Sequence, residues 1–226
     1  MTQPFRIAQA GAGLSPPRGS AIDSQHPITI SFNGRKLSGF RGDTVASLML
    51  ANGQHLAGRS FKYHRPRGIL AAGVEEPNAL LDVDRGGGRR EPNNRATVVE
   101  AFDGLTVKTQ NHYPTLEHDI GAINDKLSPM FAAGFYYKTF MWPQAAWKSL
   151  YEPVIRRAAG LGSAPTDPDP DRYLQRHAYC DVLIVGMGPA GLSVARVLAN
   201  TDLTVMVCDE QPTPGGALNH DVTARM

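Results

Sequence analysis

Hydrophobic and polar positions alternate most cleanly from Pro27, where Ile28, Ile30 and Phe32 are interleaved with Thr29 and Ser31, the period-two pattern of a half-buried strand. Asn33-Gly34 follows, a pair suited to the positive φ angles of a two-residue hairpin turn, and Arg35 to Phe40 is the return strand. Asp43 or Thr44 can then cap a short helix running to Asn52, with Val45, Leu48 and Leu50 buried and Gly53 supplying a left-handed stop. Residues 79–83, 96–100 and 106–109 read as three more short strands, with turns at Gly86-Gly87-Gly88 and Asp103-Gly104. Two strands, a helix and further strands over 27–111 fit a β-grasp domain, although a small barrel gives similar local signals.

The texture changes over 112–161, an aromatic and helical connector in which Phe131, Phe135, Tyr136, Tyr137, Phe140, Trp142 and Trp147 are crowded together. Trp147, Leu150, Tyr151 and Ile155 recur at helical spacing, so a helix from about Pro143 to Ala159 is expected to turn one apolar face to a neighbour. Residues 162–172 alternate proline with aspartate, carry no apolar period and read as a linker. At the other end, residues 1–26 are rich in Ala, Gly, Ser and Pro and read as a flexible tail.

From 173 to 226 the pattern becomes that of an α/β unit. Val182-Leu183-Ile184-Val185 is a continuous apolar run, as in a strand covered on both faces, and Gly186-Met187-Gly188-Pro189-Ala190-Gly191 follows at once. Gly186 permits a tight turn, Gly188 lets backbone approach a pyrophosphate, and Gly191 lets the next helix pack closely on the strand. Pro189 suits a first helical turn, where its missing N–H costs nothing. Ala190, beside it, offers a free backbone N–H at the positive end of the helix dipole. Thr204 to Cys208 is the second parallel strand, and Asp209 lies eighteen residues beyond Gly191, near the ~20-residue separation at which an acid accepts ribose hydroxyls. Glu210 is the alternative acid. A carboxylate there disfavours a 2′-phosphate, which points to NAD or FAD rather than NADP. Gln211 to Ala217, with Gly215-Gly216, is a loop in which close backbone passes beside the cofactor. The site so assembled is Gly186, Gly188, Pro189, Ala190, Gly191, Asp209, Glu210, Gln211, Gly216 and Ala217. A glycine-rich turn in an unrelated α/β unit is the competing explanation.

Composition narrows the classes. Lys+Arg 23 against Asp+Glu 21 leaves +2, too little to argue for nucleic acid or an anionic membrane as partner. Arg59, Lys62, His64, Arg65 and Arg67 nevertheless fall within nine positions, either as an anion or subunit contact or as a salt-bridged loop. Two cysteines, Cys180 and Cys208, are too few for a disulfide scaffold or a four-thiolate site, and both are expected to pack as small apolar residues. The seven histidines show no tight ligand spacing, so no metal site is expected. No apolar leader or run of about 20 apolar residues is present, so a cytoplasmic chain that makes no membrane contact is expected. No nucleophile–base pair is identifiable, and the catalytic residues remain unassigned.

The segments Arg59-Ser60-Phe61-Lys62-Tyr63-His64-Arg65-Pro66-Arg67-Gly68 and Gly134-Phe135-Tyr136-Tyr137-Lys138-Thr139-Phe140-Met141-Trp142-Pro143, together with the glycine motif ending in Asp209-Glu210-Gln211, resemble the N-terminal part of the α subunits of heterotetrameric sarcosine oxidases. The resemblance covers nearly everything after Pro27. It implies a 2Fe-2S ferredoxin-like β-grasp domain followed by a partial Rossmann-type dinucleotide-binding βαβ. Plant-type clusters need C-x4-C-x2-C and a fourth thiolate, and Gly68 to Ala79 contains no cysteine, so a domain without an iron–sulfur cluster is expected. The resemblance further implies NAD bound by this chain, FAD and FMN elsewhere in the complex, and β, γ and δ subunits as partners. Folate would bind only through a C-terminal region beyond Met226. The implied reaction is oxidative demethylation of sarcosine to glycine, with formaldehyde or methylenetetrahydrofolate and hydrogen peroxide as the other products. The chain is expected to be truncated after its first βαβ and inactive alone. A subunit of an opine oxidase or amino-acid dehydrogenase, or a non-catalytic assembly module, are the alternatives.

Overall fold

The computed structural model describes Arg6 and residues 22–130, 142–158, 160–211 and 213–219. The chain divides into two compact units, one built on Ala21–Pro170 and the other on Asp171–Met226.

In the first unit, β1 (Asp23–Phe32) and β2 (Arg35–Arg41) form the hairpin, with Asn33 at φ 49 and Gly34 at φ 81 as its turn demands. Pairing of Asp23 with Arg41 starts β1 four residues before Pro27, across an irregularity. Helix α1 (Val45–Ala51) is capped by the Thr44 hydroxyl, which accepts from the Ser47 N–H at 3.1 Å. It buries Val45, Ala46, Leu48, Met49 and Ala51. Leu50, expected inside, is 39% exposed, because the buried stripe runs through 45, 48 and 49 and position 50 falls on the opposite side of the helix. A Cβ on Gly39 of β2 would collide with the Leu48 side chain, so the glycine lets α1 lie close on the sheet.

Two-residue strands β3 (Gly58–Arg59) and β4 (Pro66–Arg67) pair with each other. The main sheet is completed by β5 (Leu80–Asp84), β6 (Arg90–Arg95) and β7 (Thr106–Thr109), in the order β2-β1-β7-β5-β6. β7 runs parallel to β1, and the other pairs are antiparallel. This mixed sheet with a helix against it is the β-grasp arrangement. The strand expected at 96–100 is replaced by β6 at 90–95, and Ala96–Val99 form a turn in which the N–H groups of Val98 and Val99 donate to the Arg95 carbonyl. β6 is polar because it is an edge strand. The apolar run that follows is buried under α1, where the Ala96 and Val99 carbonyls accept from Ala46 and Val45. Apolar alternation there marked burial and not pairing. Ile30, Phe32, Leu48, Met49, Leu81, Val83, Leu105, Val107 and Leu116 form the core.

Of the connector, α2 (Ile123–Lys126) is a single turn, and Phe131 to Met141 lie outside the described residues, with most of the second quoted motif. The expected helix over 143–159 is a composite: a 3-10 turn at Gln144–Ala146, a π-helix at Trp147–Tyr151, and α3 (Glu152–Ala158). Of the face expected to meet a neighbour, Trp147 and Leu150 are exposed and Tyr151 and Ile155 half-buried among the described residues.

In the second unit, β8 (Val182–Val185), α4 (Pro189–Leu198) and β9 (Val205–Cys208) form a βαβ with parallel strands in register, Val182 opposite Val205 and Val185 opposite Cys208. Asp181 fastens the start of the pair: its carboxylate accepts from the Thr204 N–H at 2.8 Å, and its own N–H donates to the Thr204 carbonyl at 2.9 Å. Ile184 is buried, whereas Cys208, expected to be packed, is exposed at the end of a strand with one face uncovered. Among the described residues no helix is long and apolar enough to cross a membrane.

Candidate dinucleotide-binding site

The site lies in the second unit, at the C-terminal ends of β8 and β9. β8 ends in Gly186, whose φ of 102 turns the chain and whose N–H donates to the Cys208 carbonyl at 2.7 Å. A Cβ added at Gly186 or Gly188 would meet nothing within 4 Å, so the turn faces open space where a ligand can approach backbone. Gly188 is the N-cap of α4 and Pro189 its first residue. Ala190, exposed in the first turn, is one of the residues whose N–H has no partner within the helix. Gly191 has the opposite surroundings: a Cβ there would run into the Gly186 carbonyl oxygen and come within 3.3 Å of Ile184 Cγ2. The first two glycines leave room for a ligand, and the third brings helix onto strand.

Asp209 follows β9 and is drawn onto this turn. Its Oδ2 accepts from the Met187 N–H and its Oδ1 from the Gln211 N–H at 2.7 Å. These two backbone donors hold its carboxyl below the ordinary aspartate range. The carboxylate still has lone pairs for ribose hydroxyls. Glu210, one residue on, is exposed. The Gly215 N–H donates to the Met187 carbonyl at 2.8 Å, and a Cβ on Gly216 would lie 3.0 Å from Gly188 Cα. Ala217 is exposed on the 3-10 turn Gly216–Asn219, which the Asn219 amide closes by donating to the Pro214 carbonyl at 3.1 Å. The sequence-predicted residues at 186–191, 209–211 and 216–217 therefore converge. Met187 was missed: its N–H and C=O tie the other two segments to the turn, yet it occupies a variable position of the motif. Open space over two glycines, a helix N-terminus and an ionised carboxylate fit a dinucleotide.

Three members of the basic segment of the first unit, Arg59, His64 and Arg65, are engaged internally. The Arg59 guanidinium donates to the carbonyls of Leu116 at 2.6 and 2.9 Å, Glu117 at 2.9 Å and His64 at 3.2 Å. His64 Nδ1 lies 2.6 Å from Asp119, and Arg65 pairs with Asp125 at 2.6 Å. Asp119 also accepts from the Tyr113 and Gly121 N–H groups. Burial raises its pKa, but these donors and His64 outweigh that and hold it low. The segment fastens residues 112–125 to the sheet domain, in agreement with the salt-bridged reading.

Residues 25–112 match the family described as "2Fe-2S iron-sulfur cluster binding domain", and residues 171–220 match the Thi4 family. Sarcosine oxidase subunit alpha of Rhizobium meliloti (strain 1021) is 54% identical over 205 residues, covering 91% of this chain and 21% of that protein. Its counterpart in Corynebacterium sp. (strain U-96) is 34% identical over 223 residues, 96% of this chain and 17% of its own. Among solved structures, L-proline dehydrogenase from P.horikoshii is similar at a TM-score of 0.44 and 19% identity, over 87% of this chain and 28% of that one. The chain thus spans about one fifth of the length of the curated relatives it matches.

The match over 25–112 corrects the expectation of a domain without an iron–sulfur cluster, because that segment falls in a family described by cluster binding. As for donors, Cys180 and Cys208 both lie outside 25–112. Among the described residues no group of three or more His, Cys, Asp or Glu is placed to hold a metal ion. The residues at hand do not supply a thiolate set.

Proposed function

We propose, on the premise that this chain is a homologue of sarcosine oxidase α subunits, that it is the NAD-binding part of an oxidoreductase subunit acting in the oxidative demethylation of sarcosine to glycine. The supporting observation is the convergence of Gly186–Gly191, Asp209 and Gly215-Gly216 at one end of the β8–β9 pair. The free N–H groups at the start of α4 would hold the diphosphate, and the open space over Gly186 and Gly188 would admit it to the backbone. Asp209 accepts the ribose hydroxyls, and its negative charge turns away a 2′-phosphate, which selects NAD over NADP. Bound NAD supplies a nicotinamide that exchanges hydride. This chain's own share is binding and orientation. The oxidation of the N-methyl group, and the passage of its electrons to oxygen as peroxide, belong to the assembled complex with β, γ and δ subunits.

Equilibrium dialysis of the chain against NAD tests the site. Saturable binding is expected, with NADP weaker. Asp209→Ala should weaken NAD by roughly tenfold to a hundredfold, the worth of one or two hydrogen bonds to a charged group. No NAD binding, or unchanged affinity in the variant, would overturn the assignment. Sarcosine-dependent peroxide should appear when the chain is assembled with its partner subunits and not from the chain alone.

A further inference from the structure

We infer that the loop 70–79 is an anion cradle whose resident ligand is the chain's own Glu76 carboxylate, and that it takes up a small free carboxylate, formate or acetate, when that side chain is cut back. Glu76 is fully buried in the first unit, far along the chain from the dinucleotide motif. No ion pair to it occurs among the described residues. A buried carboxylate so placed is costly unless hydrogen bonds satisfy it, and here four backbone N–H groups do. Leu70 and Ala71 donate to Oε2 at 2.6 and 2.8 Å, and Asn78 and Ala79 donate to Oε1 at 2.7 and 3.1 Å. Two pairs of adjacent amides thus grip the two oxygens from opposite ends of the loop.

The frame of the cradle is held by bonds in which the carboxylate takes no part. Gly73, at φ 68, presents its carbonyl to the Thr97 hydroxyl at 2.5 Å. The backbone carbonyl of Glu76 accepts from Arg95 Nε at 3.2 Å, and the Ala79 carbonyl accepts from the Ala96 N–H at 2.9 Å. Those anchors sit on β6 and the turn after it, so the amides stay aimed at one point when the carboxylate is removed. Four donors set in two pairs around the two oxygens of one carboxylate suit a planar, two-oxygen monoanion.

The test uses the whole chain. Glu76→Ala should melt well below the unmodified chain, and sodium formate should raise its melting temperature saturably, while sodium chloride at the same ionic strength gives a smaller rise and the unmodified chain gains no such formate-specific shift. In amide NMR spectra of the variant, formate should move the resonances of Leu70, Ala71, Asn78 and Ala79. An unaltered melting temperature, or the same formate shift in both proteins, overturns the inference. Should Glu76→Ala fail to fold, hydrogen exchange in the unmodified chain decides. The four amides should be protected roughly a hundredfold or more over unstructured rates, and exchange at unstructured rates overturns the cradle.

Discussion

In the unit built on 21–170, Leu81 and Val83 of β5 and Val107 of β7 are shut off from solvent, and the turns and α1 close over them. In the unit built on 171–226, Leu183 and Val185 of β8 are 55% and 79% exposed, and Ile184 alone of its apolar residues is buried among those described. Yet the second unit holds its turn with the same definition: Asp181 pins one end of the strands, and Asp209, Met187 and Gly215 pin the other. A binding motif can be fixed by local backbone geometry and a few carboxylate-to-amide bonds. Resistance to unfolding comes from closing an apolar layer, and continuous apolar strands such as β8 are built for cover on both faces.

The sharpest way to break this contrast is Leu81→Ala. It should cost the first unit about 2–5 kcal/mol in denaturant unfolding, as expected for a fully buried leucine, and a loss below about 1 kcal/mol would show that the closed layer matters less than stated. Next comes Arg59→Lys, which keeps the charge and loses the fork that holds the Leu116 and Glu117 carbonyls. A destabilisation of roughly 1–3 kcal/mol is expected by the same measurement.

Acid should separate the units further. Burial pushes the pKa values of Glu76 and Asp119 up, but backbone N–H donors, with His64 at Asp119, more than reverse this and hold both low. Their ionised forms add stability that is complete above the unfolded values of 4.5 and 3.8 and is lost as pH falls through the lower folded values. Urea titrations from about pH 6 to about pH 2 should show that loss, and Glu76→Gln with Asp119→Asn should flatten it. Asp181 and Asp209 are also held low by backbone donors, but Asp181 is exposed and Asp209 only half-buried, so solvent screens them and acid should affect the second unit less. The smallest effect expected is Val185→Thr, within about 0.5 kcal/mol, because that side chain is already in water.

Much of this was legible in the sequence wherever a residue type has a local geometric consequence. Asn33-Gly34, Gly53 and β7 were placed correctly, the cap fell on Thr44, one of the two residues expected, and the glycine motif carried its own strand and helix. What was illegible depended on distant partners. Residues 90–95 carry no strand pattern because β6 is a polar edge, and Ala96–Val99 imitate one because they lie beneath α1. Glu76 gave no signal, since four amides from both ends of a loop reach it only after folding. Asp209 was found by its spacing, but its bond to the Met187 amide, across 22 residues, was not.

The parallel pairing of β1 with β7 has a consequence for timing. Asn33, in the turn that follows β1, shares hydrogen bonds with Thr109, 76 residues later. At a synthesis rate of about 5–20 residues per second, β1 waits roughly 4–15 seconds before the central strand of its sheet has been made. Ile30 and Phe32 stay exposed for that interval, so a nascent-chain binder, or pausing between codons 41 and 106, should govern the yield of folded protein more than any final contact does.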